Sequence, residues 1–328
     1  MASGITHILL MKNLQIFLPE DRLKSIVQTS SYILQVGAVG PDLPYASIAD
    51  SGDYFFKTQS ELADKFHYEN TNQLILKAFR EIKNNQNYTS KEKRFLFAFF
   101  LGFASHIVAD GIIHPFVRDK VGDYQTNQTA HRVLEMQLDV LLYNHLTLSS
   151  SNPINLNYSN IHDELVNFNE NFYPEIKIIL QLFSDKIYAV YGERYEPETI
   201  KGWINGLYTM FDLAEGEHPI IYKGIGFIND FLFKDYEELK GKYSSILTLE
   251  KPKDREKNFM NRPKVHFFDD CLPQFYKIFV PLTKKLYMYT FEDGPEVTED
   301  EIPLIDLDTG RLLANNNLDE VPILWNVA

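Results

Sequence analysis

Residues 95–116 read FLFAFFLGFASHIVADGIIHPF, and this stretch decides the fold. Its length and apolar character match a membrane span. Ser105, His106, Asp110 and His114 interrupt it, however, and charged groups inside a bilayer are costly. The better reading is a central buried helix, apolar on most faces and polar along one. His106, Asp110 and His114 recur every fourth residue, a step that drifts only about 40° around a helix. The three side chains therefore project from one face. Burying them with nothing to satisfy them would cost several kcal/mol, on the order of 2–7 per polar group, so a bound cation is the natural partner.

A second ladder follows. Residues 131–139 read HRVLEMQLD, and His131, Glu135 and Asp139 repeat the four-residue step. All six side chains are ligand types for divalent metals, and none is a soft thiolate. Two facing helices with such stripes enclose a polynuclear site inside a helical bundle.

Working outward, Thr89 and Glu92 make a capping box that launches the long helix from Ser90. Pro115 disfavours helical geometry at His114, so the helix is expected to end there. The next helix starts at Gln128 or Thr129 and runs to about Leu146. Upstream, Ile5–Phe17 and Asp21–Val36 read as helices, the second stopped by Gly37 and Gly40-Pro41. Residues 43–60 read as an irregular loop, followed by helices over Ser60–Lys65 and Thr71–Lys83. Downstream, Asn152–Asn160 is a polar linker. Further helices are expected over 161–171, 174–191, 197–214, 220–243 and 268–291, with Pro281 kinking or breaking the last. From Glu292 the chain turns acidic, then carries short β-type or turn segments around Leu304–Leu313 and Val321–Trp325. The expected fold class is all-α: a multi-helix bundle over residues 1–291 around a polynuclear metal site, with a short non-helical C-terminal extension over 292–328.

Composition agrees with a large core. The chain has 328 residues, 45% of them hydrophobic, with 24 Phe and 19 Tyr, enough for a dense, ring-rich interior. The formal net charge of −13 repels nucleic acid and anionic lipid at long range, and no stable nucleic-acid partner is expected. The single cysteine, Cys271, cannot form an internal disulfide. The N-terminus has no positive region before an apolar run, so no secretory signal is read and a cytoplasmic location is favoured; secretion would need a leader already removed. Nothing marks the oligomeric state.

The candidate ligands extend into the N-terminal half: His7, Asp42 in Gly40-Pro41-Asp42, His67, His106, Asp110, His114, His131 and Glu135. With these residues in this order, the sequence resembles the zinc-dependent phospholipase C family, relatives of the P1-type single-strand nucleases, over about residues 1–145. The resemblance implies two or three zinc ions. Asp42, His67, His106 and Asp110 would hold the first, and His114, His131 and Glu135 the second. His7 and a bridging Asp110 would hold the third, which the free amino terminus completes in the family; here that would be Ala2 after removal of Met1. Asp53 competes with Asp42 for its place. The implied activity is that of a zinc-dependent phosphoric ester hydrolase, phospholipase C-like, cleaving a phosphodiester in a phospholipid or a small phosphocholine-type molecule.

On chemistry alone, paired divalent ions roughly 3.5–4 Å apart acidify a shared water toward a pKa of about 7, and the hydroxide attacks phosphorus. Asp42 would take the water's proton. Asp139, one turn beyond Glu135, would orient a metal-bound imidazole. Other readings stay open: a single-strand nuclease-like enzyme, a phosphoester hydrolase of specialised metabolism, or a catalytically inactive, zinc-stabilised binding protein whose metal is coordinatively closed. Tyr45, Arg118 and Lys120 are candidate substrate contacts. His145, His266, the pair His162-Asp163 and Glu215-x-x-His218 carry weaker signals. Cys271 reads as a small buried side chain rather than a nucleophile.

Overall fold

The computed structural model describes residues 4–47, 59–149, 174–215, 233–234, 236–250 and 264–326. Its helices are α1 (Gly4–Phe17), α2 (Arg22–Thr29), α3 (Ser31–Ala38), α4 (Ser60–Tyr68), α5 (Gln73–Asn84), α6 (Ser90–Val121), α7 (Tyr124–Ser149), α8 (Pro174–Tyr191), α9 (Pro197–Glu215), α10 (Tyr236–Lys240), α11 (Tyr243–Leu247) and α12 (Leu272–Phe291). A 3-10 helix spans Gly40–Ala46. Two short antiparallel strands, β1 (Thr248–Glu250) and β2 (Lys264–His266), pair Thr248 with His266 and Glu250 with Lys264. The fold class is all-α.

The long helix α6 is the axis. Thr89 Oγ1 accepts from Glu92 N, and Glu92 accepts from Thr89 N, so the capping box read from the sequence starts it. From Leu96 to Val117 every residue is buried. The sequence that imitates a membrane span is therefore the core helix of this bundle, with α1, α3, α5, α7, α8 and α12 packed around it. Its Phe side chains meet in edge-on and tilted contacts, Phe99 against Phe100 at 5.2 Å and Phe103 against Phe183 at 5.6 Å, the arrangement that ring quadrupoles favour.

Glycine sets how closely α3 and α6 approach. A Cβ on Gly102 would lie 2.1 Å from the Leu34 carbonyl oxygen, and one on Gly37 would lie 2.0 Å from the Phe99 carbonyl oxygen. No side chain fits at either position.

Several sequence expectations are corrected. The helix does not end at His114: α6 continues through Pro115 to Val121, and Gly122, at φ 95°, closes it. Pro115 denies the Gly111 carbonyl its usual partner, but tertiary packing holds the turn. Trp325 Nε1 donates to the next carbonyl, Ile112 O, at 2.8 Å. The single helix expected over Asp21–Val36 is two helices, broken at Ser30 with φ −117° and ψ 25°. Beside that break the Thr29 hydroxyl donates back to Ser25 O, competing with the backbone. The start of the expected loop is the 3-10 helix carrying Asp42. Pro281 lies within α12 and does not end it. Of the helix expected over 220–243, the described part holds only the short α10 and the start of α11. The linker at 152–160 and the helix at 161–171 fall outside the described residues.

The C-terminal segment has a single β-bridge, Ile305 with Leu312, and two 3-10 turns. It buries Ile302, Ile305, Leu307, Leu324 and Trp325 in the same core as the helices.

Candidate metal centre

Asp110 is the hub. It sits in the middle of α6, fully buried, and its two oxygens face opposite ways. Oδ2 lies 3.0 Å from His106 Nε2 and 3.5 Å from His67 Nε2. Oδ1 lies 3.1 Å from His7 Nε2 and 3.5 Å from His114 Nε2. The four-residue step places His106 and His114 one turn to either side of Asp110, as the stripe requires. On the Oδ2 side, Asp42 Oδ1 lies 3.4 Å from His67 Nε2. On the Oδ1 side, Glu135 Oε1, from α7, lies 3.5 Å from His114 Nε2. The His7 and His106 rings stack at 4.0 Å, locking α1 against α6. Seven of the eight expected ligands thus converge from five separate elements. A small cavity adjoins them, lined by His7, Asp110 and Glu135 with Thr6, Ile113, Leu138 and Phe267.

The donor set fits divalent cations. Nδ1 of His67 bonds Ala63 O at 2.7 Å, and Nδ1 of His106 bonds Ala38 O at 2.8 Å. A carbonyl only accepts, so each Nδ1 donates a proton to it and each Nε2 turns toward the pocket, the atom that would face a metal. Those two Nε2 atoms lie 3.3 Å apart. Neither oxygen of Asp42 or Asp110 accepts a well-formed hydrogen bond, and the same holds for Glu135 Oε2. Buried acceptors in such number need a positive charge among them. Two triads have ligand atoms within 4.8 Å of one another: Asp42, His67 and His106; and His7, His106 and Asp110.

Electrostatics point the same way. Burial pushes the Asp42 carboxyl up, but His106 and His67 outweigh it and hold it at about 2. Burial opposes ionisation of Asp110 too, yet His106, His114 and His7 keep it well below the usual carboxylate range. Burial alone would lower His67, but Asp110 and Asp42 raise it to about 10. Burial, reinforced by Asp110, Asp42 and Asp139, drives Glu135 well up, while burial takes His114 down to about 3. Without a metal, a proton on His67 sets positive charge beside Asp42 and Asp110, and burial favours the neutral form of Glu135.

His131 is placed differently. It lies one turn before Glu135 and is buried, but its Nε2 bonds Gly122 O at 2.6 Å. With that nitrogen as donor, Nδ1 is the one left for a ligand. Asp139 turns Oδ1 toward α1. That oxygen accepts from Thr6 N and Thr6 Oγ1, both at 2.7 Å, and so anchors the turn that presents His7. Thr6 carried no sequence signal, nor did the Ala38 and Ala63 carbonyls that orient the rings.

Tyr45, one turn past Asp42, stands with its ring 6.0 Å from His67 and donates its hydroxyl to Asp64 Oδ1 at 2.6 Å. Arg118 is held by Asp123 and Asp308, and Lys120 donates to Ser245 O and Thr248 O. Those two cations are engaged within the fold. His145 stacks on Phe268 at 4.2 Å, and His266 pairs with Asp269 at 3.0 Å, both apart from the centre. Cys271 is buried and its thiol is pushed well up by burial. Met1, Ala2, Asp53, His162, Asp163 and His218 lie outside the described residues, and with them the amino-terminal ligand and the rival to Asp42.

A family model described as zinc-dependent phospholipase C matches residues 6–195, more than half of the chain. No curated protein and no solved structure matches it.

Proposed function

The chain belongs to the zinc-dependent phospholipase C family, and from that premise we propose that it is a zinc-dependent hydrolase of phosphodiesters, phospholipase C-like, acting on a phospholipid or a small phosphocholine-type molecule. The observation that carries this reading is the two-faced carboxylate of Asp110, with imidazoles near both of its oxygens. One carboxylate shared between two ligand clusters is the architecture of a polynuclear site.

On this reading Asp42, His67, His106 and Asp110 hold one ion. On the other face of Asp110, His114 and Glu135, together with His131, would hold a second, and His7 with Asp110 would hold a third. Bound divalent metal supplies Lewis-acid polarisation of the phosphoryl group and an acidified water. The protein's own part is positional. The Ala38 and Ala63 carbonyls fix two imidazoles in the tautomer that presents Nε2. Asp42, kept ionised by His106 and His67 against the effect of burial, accepts a hydrogen bond from the attacking water and orients it. Asp42 would also take the water's proton and pass it on to solvent. Tyr45, whose phenol is pushed up by burial and by its bond to Asp64, stays neutral beside His67.

The deciding experiment offers zinc-loaded protein phosphatidylcholine, a soluble phosphocholine ester and a single-stranded oligonucleotide. Release of phosphocholine from either of the first two supports the proposal. Cleavage of the oligonucleotide alone would transfer the site to nuclease chemistry, and zinc uptake without turnover of any would mark a binding protein.

A further inference from the structure

The family match ends at residue 195, yet the segment after α12 reaches back to both faces of the metal centre. Leu307 N donates to the carbonyl of His67 itself, at 3.0 Å. Just beyond His67, Thr71 Oγ1 donates to Ile305 O and Asn72 Nδ2 to Ile302 O, each at 2.7 Å and buried. The same segment then crosses to α6. Asp308 pairs with Arg118, one turn past His114. Gly310, at φ 65°, lies so close that a Cβ there would be 2.6 Å from Gly111 O and 2.8 Å from Pro115 Cγ. Trp325 Nε1 donates to Ile112 O at 2.8 Å.

These fastenings flank the ligands. His67 is on the Oδ2 face of Asp110, and Gly111 and Ile112 belong to the turn that joins Asp110 to His114, whose Nε2 lies near Oδ1. That turn of α6 is also the one Pro115 weakens by removing a ladder bond. A ligand-bearing turn with a missing hydrogen bond keeps its geometry only if something outside the helix holds it.

We propose that residues 302–325 are a strap that sets the separation of His67 from the Asp110–His114 turn, with Asp308 and Trp325 as its positioning residues. The inference rests on the metal reading of the site. Neither residue reaches the ligand atoms: Asp308 acts through Arg118, and Trp325 through the Ile112 carbonyl. Because strap and metal favour the same arrangement, their coupling is reciprocal: loading the metal steadies the strap.

The test uses the full chain, stripped and reloaded. Asp308→Asn and Trp325→Phe are expected to weaken zinc binding about tenfold, the lower end for residues that orient ligands indirectly. They are also expected to shift the visible absorption of the cobalt-substituted protein at unchanged far-ultraviolet circular dichroism. Asp308→Glu should restore part of the affinity. Trp325→Phe keeps a buried ring and carries the test alone should Asp308→Asn fail to fold. In the unmodified protein, zinc should slow hydrogen exchange at the Leu307 amide. Variants with the parent's zinc affinity and cobalt spectrum would overturn the strap and leave the metal reading intact. An unmodified protein that takes up no zinc would overturn both.

Discussion

His67 Nε2 and His106 Nε2 lie 3.3 Å apart, and each ring has its other nitrogen bonded to a backbone carbonyl. Two imidazoles so oriented cannot both be neutral without opposing their lone pairs. A proton or a metal ion must sit between them, and Asp42 and Asp110 stand ready to balance either.

Metal uptake should therefore release protons. In the metal-free protein burial disfavours the His67 cation, but Asp110 and Asp42 prevail and raise it to about 10 against an ordinary 6.5. His67 is thus protonated through the neutral range, and an ion binding at Nε2 must displace that proton. A raised value means that the competing proton is fully present at low pH and leaves only as pH climbs toward about 10. Apparent zinc affinity should accordingly increase about tenfold per pH unit between pH 6 and 8 for each proton displaced. Glu135, raised mainly by burial, adds to the release. Calorimetric titration in buffers of different ionisation enthalpy measures the proton count; a count of zero would contradict this arrangement.

Asp110→Asn keeps the shape of the hub and removes its charge. Both faces lose their shared carboxylate, so bound zinc should fall to at most one ion per chain by elemental analysis. Residues that only support metal ligands already cost about 10–100-fold when changed. Loss of the shared ligand should lower zinc-dependent phosphodiester turnover by more than about 100-fold. His106→Ala and Glu135→Ala should each silence turnover as well, since each removes a ligand from one face. Undiminished activity in any of the three would place the chemistry elsewhere.

The stripe His106, Asp110 and His114 was legible because a four-residue step on an apolar helix has one geometric meaning. So was the capping box at Thr89. His7, Asp42 and His67 were legible only through their order, for no local pattern says that α1, a 3-10 turn and the end of α4 meet at one carboxylate. What the sequence hid was set by long-range contact. The proton on each imidazole is placed by carbonyls of Ala38 and Ala63, and a backbone carbonyl has no side-chain signature. Spacing points Asp139 at an imidazole, and it gives no sign that its Oδ1 accepts from Thr6 at the start of α1. Pro115 reads as a helix end because local propensity ignores the indole of Trp325, more than two hundred residues away.

Stripping the metal should cost stability. The oxygens of Asp42 and Asp110 are buried with only imidazole nitrogens 3.0–3.5 Å away to balance them, so a bound ion would compensate them more fully. A ligand present at 100 times its dissociation constant stabilises the folded state by about 2.7 kcal/mol. Chelation should lower the melting temperature by several degrees, about 2–4 °C per kcal/mol for a chain of 150–250 residues and less for a longer one. Readdition of zinc should restore it, and magnesium, which prefers oxygen ligands and water, should not. Differential scanning calorimetry with and without chelator checks this; an unchanged midpoint would mean that protons alone satisfy the cluster.

Gly102→Ala tests whether helix spacing sets the site. On intrinsic propensity alone alanine would favour the helix by about 1 kcal/mol. Here the new methyl would sit 2.1 Å from Leu34 O and 2.6 Å from Ala38 N, and both are backbone atoms that no rotamer change can move. Overpacking of a core costs about 1–3 kcal/mol, so the clash wins and α3 must move away from α6. Because α3 ends at Ala38, whose carbonyl holds His106 Nδ1 at 2.8 Å, the displacement reaches the metal centre one turn further along α6. The variant should melt lower and bind zinc more weakly. Gly241→Ala, where a Cβ meets nothing within 4 Å, should do neither. Thermal melts and zinc titrations of the two variants side by side decide it; a Gly102→Ala protein with native zinc affinity would show that His106 does not depend on the α3–α6 contact for its orientation.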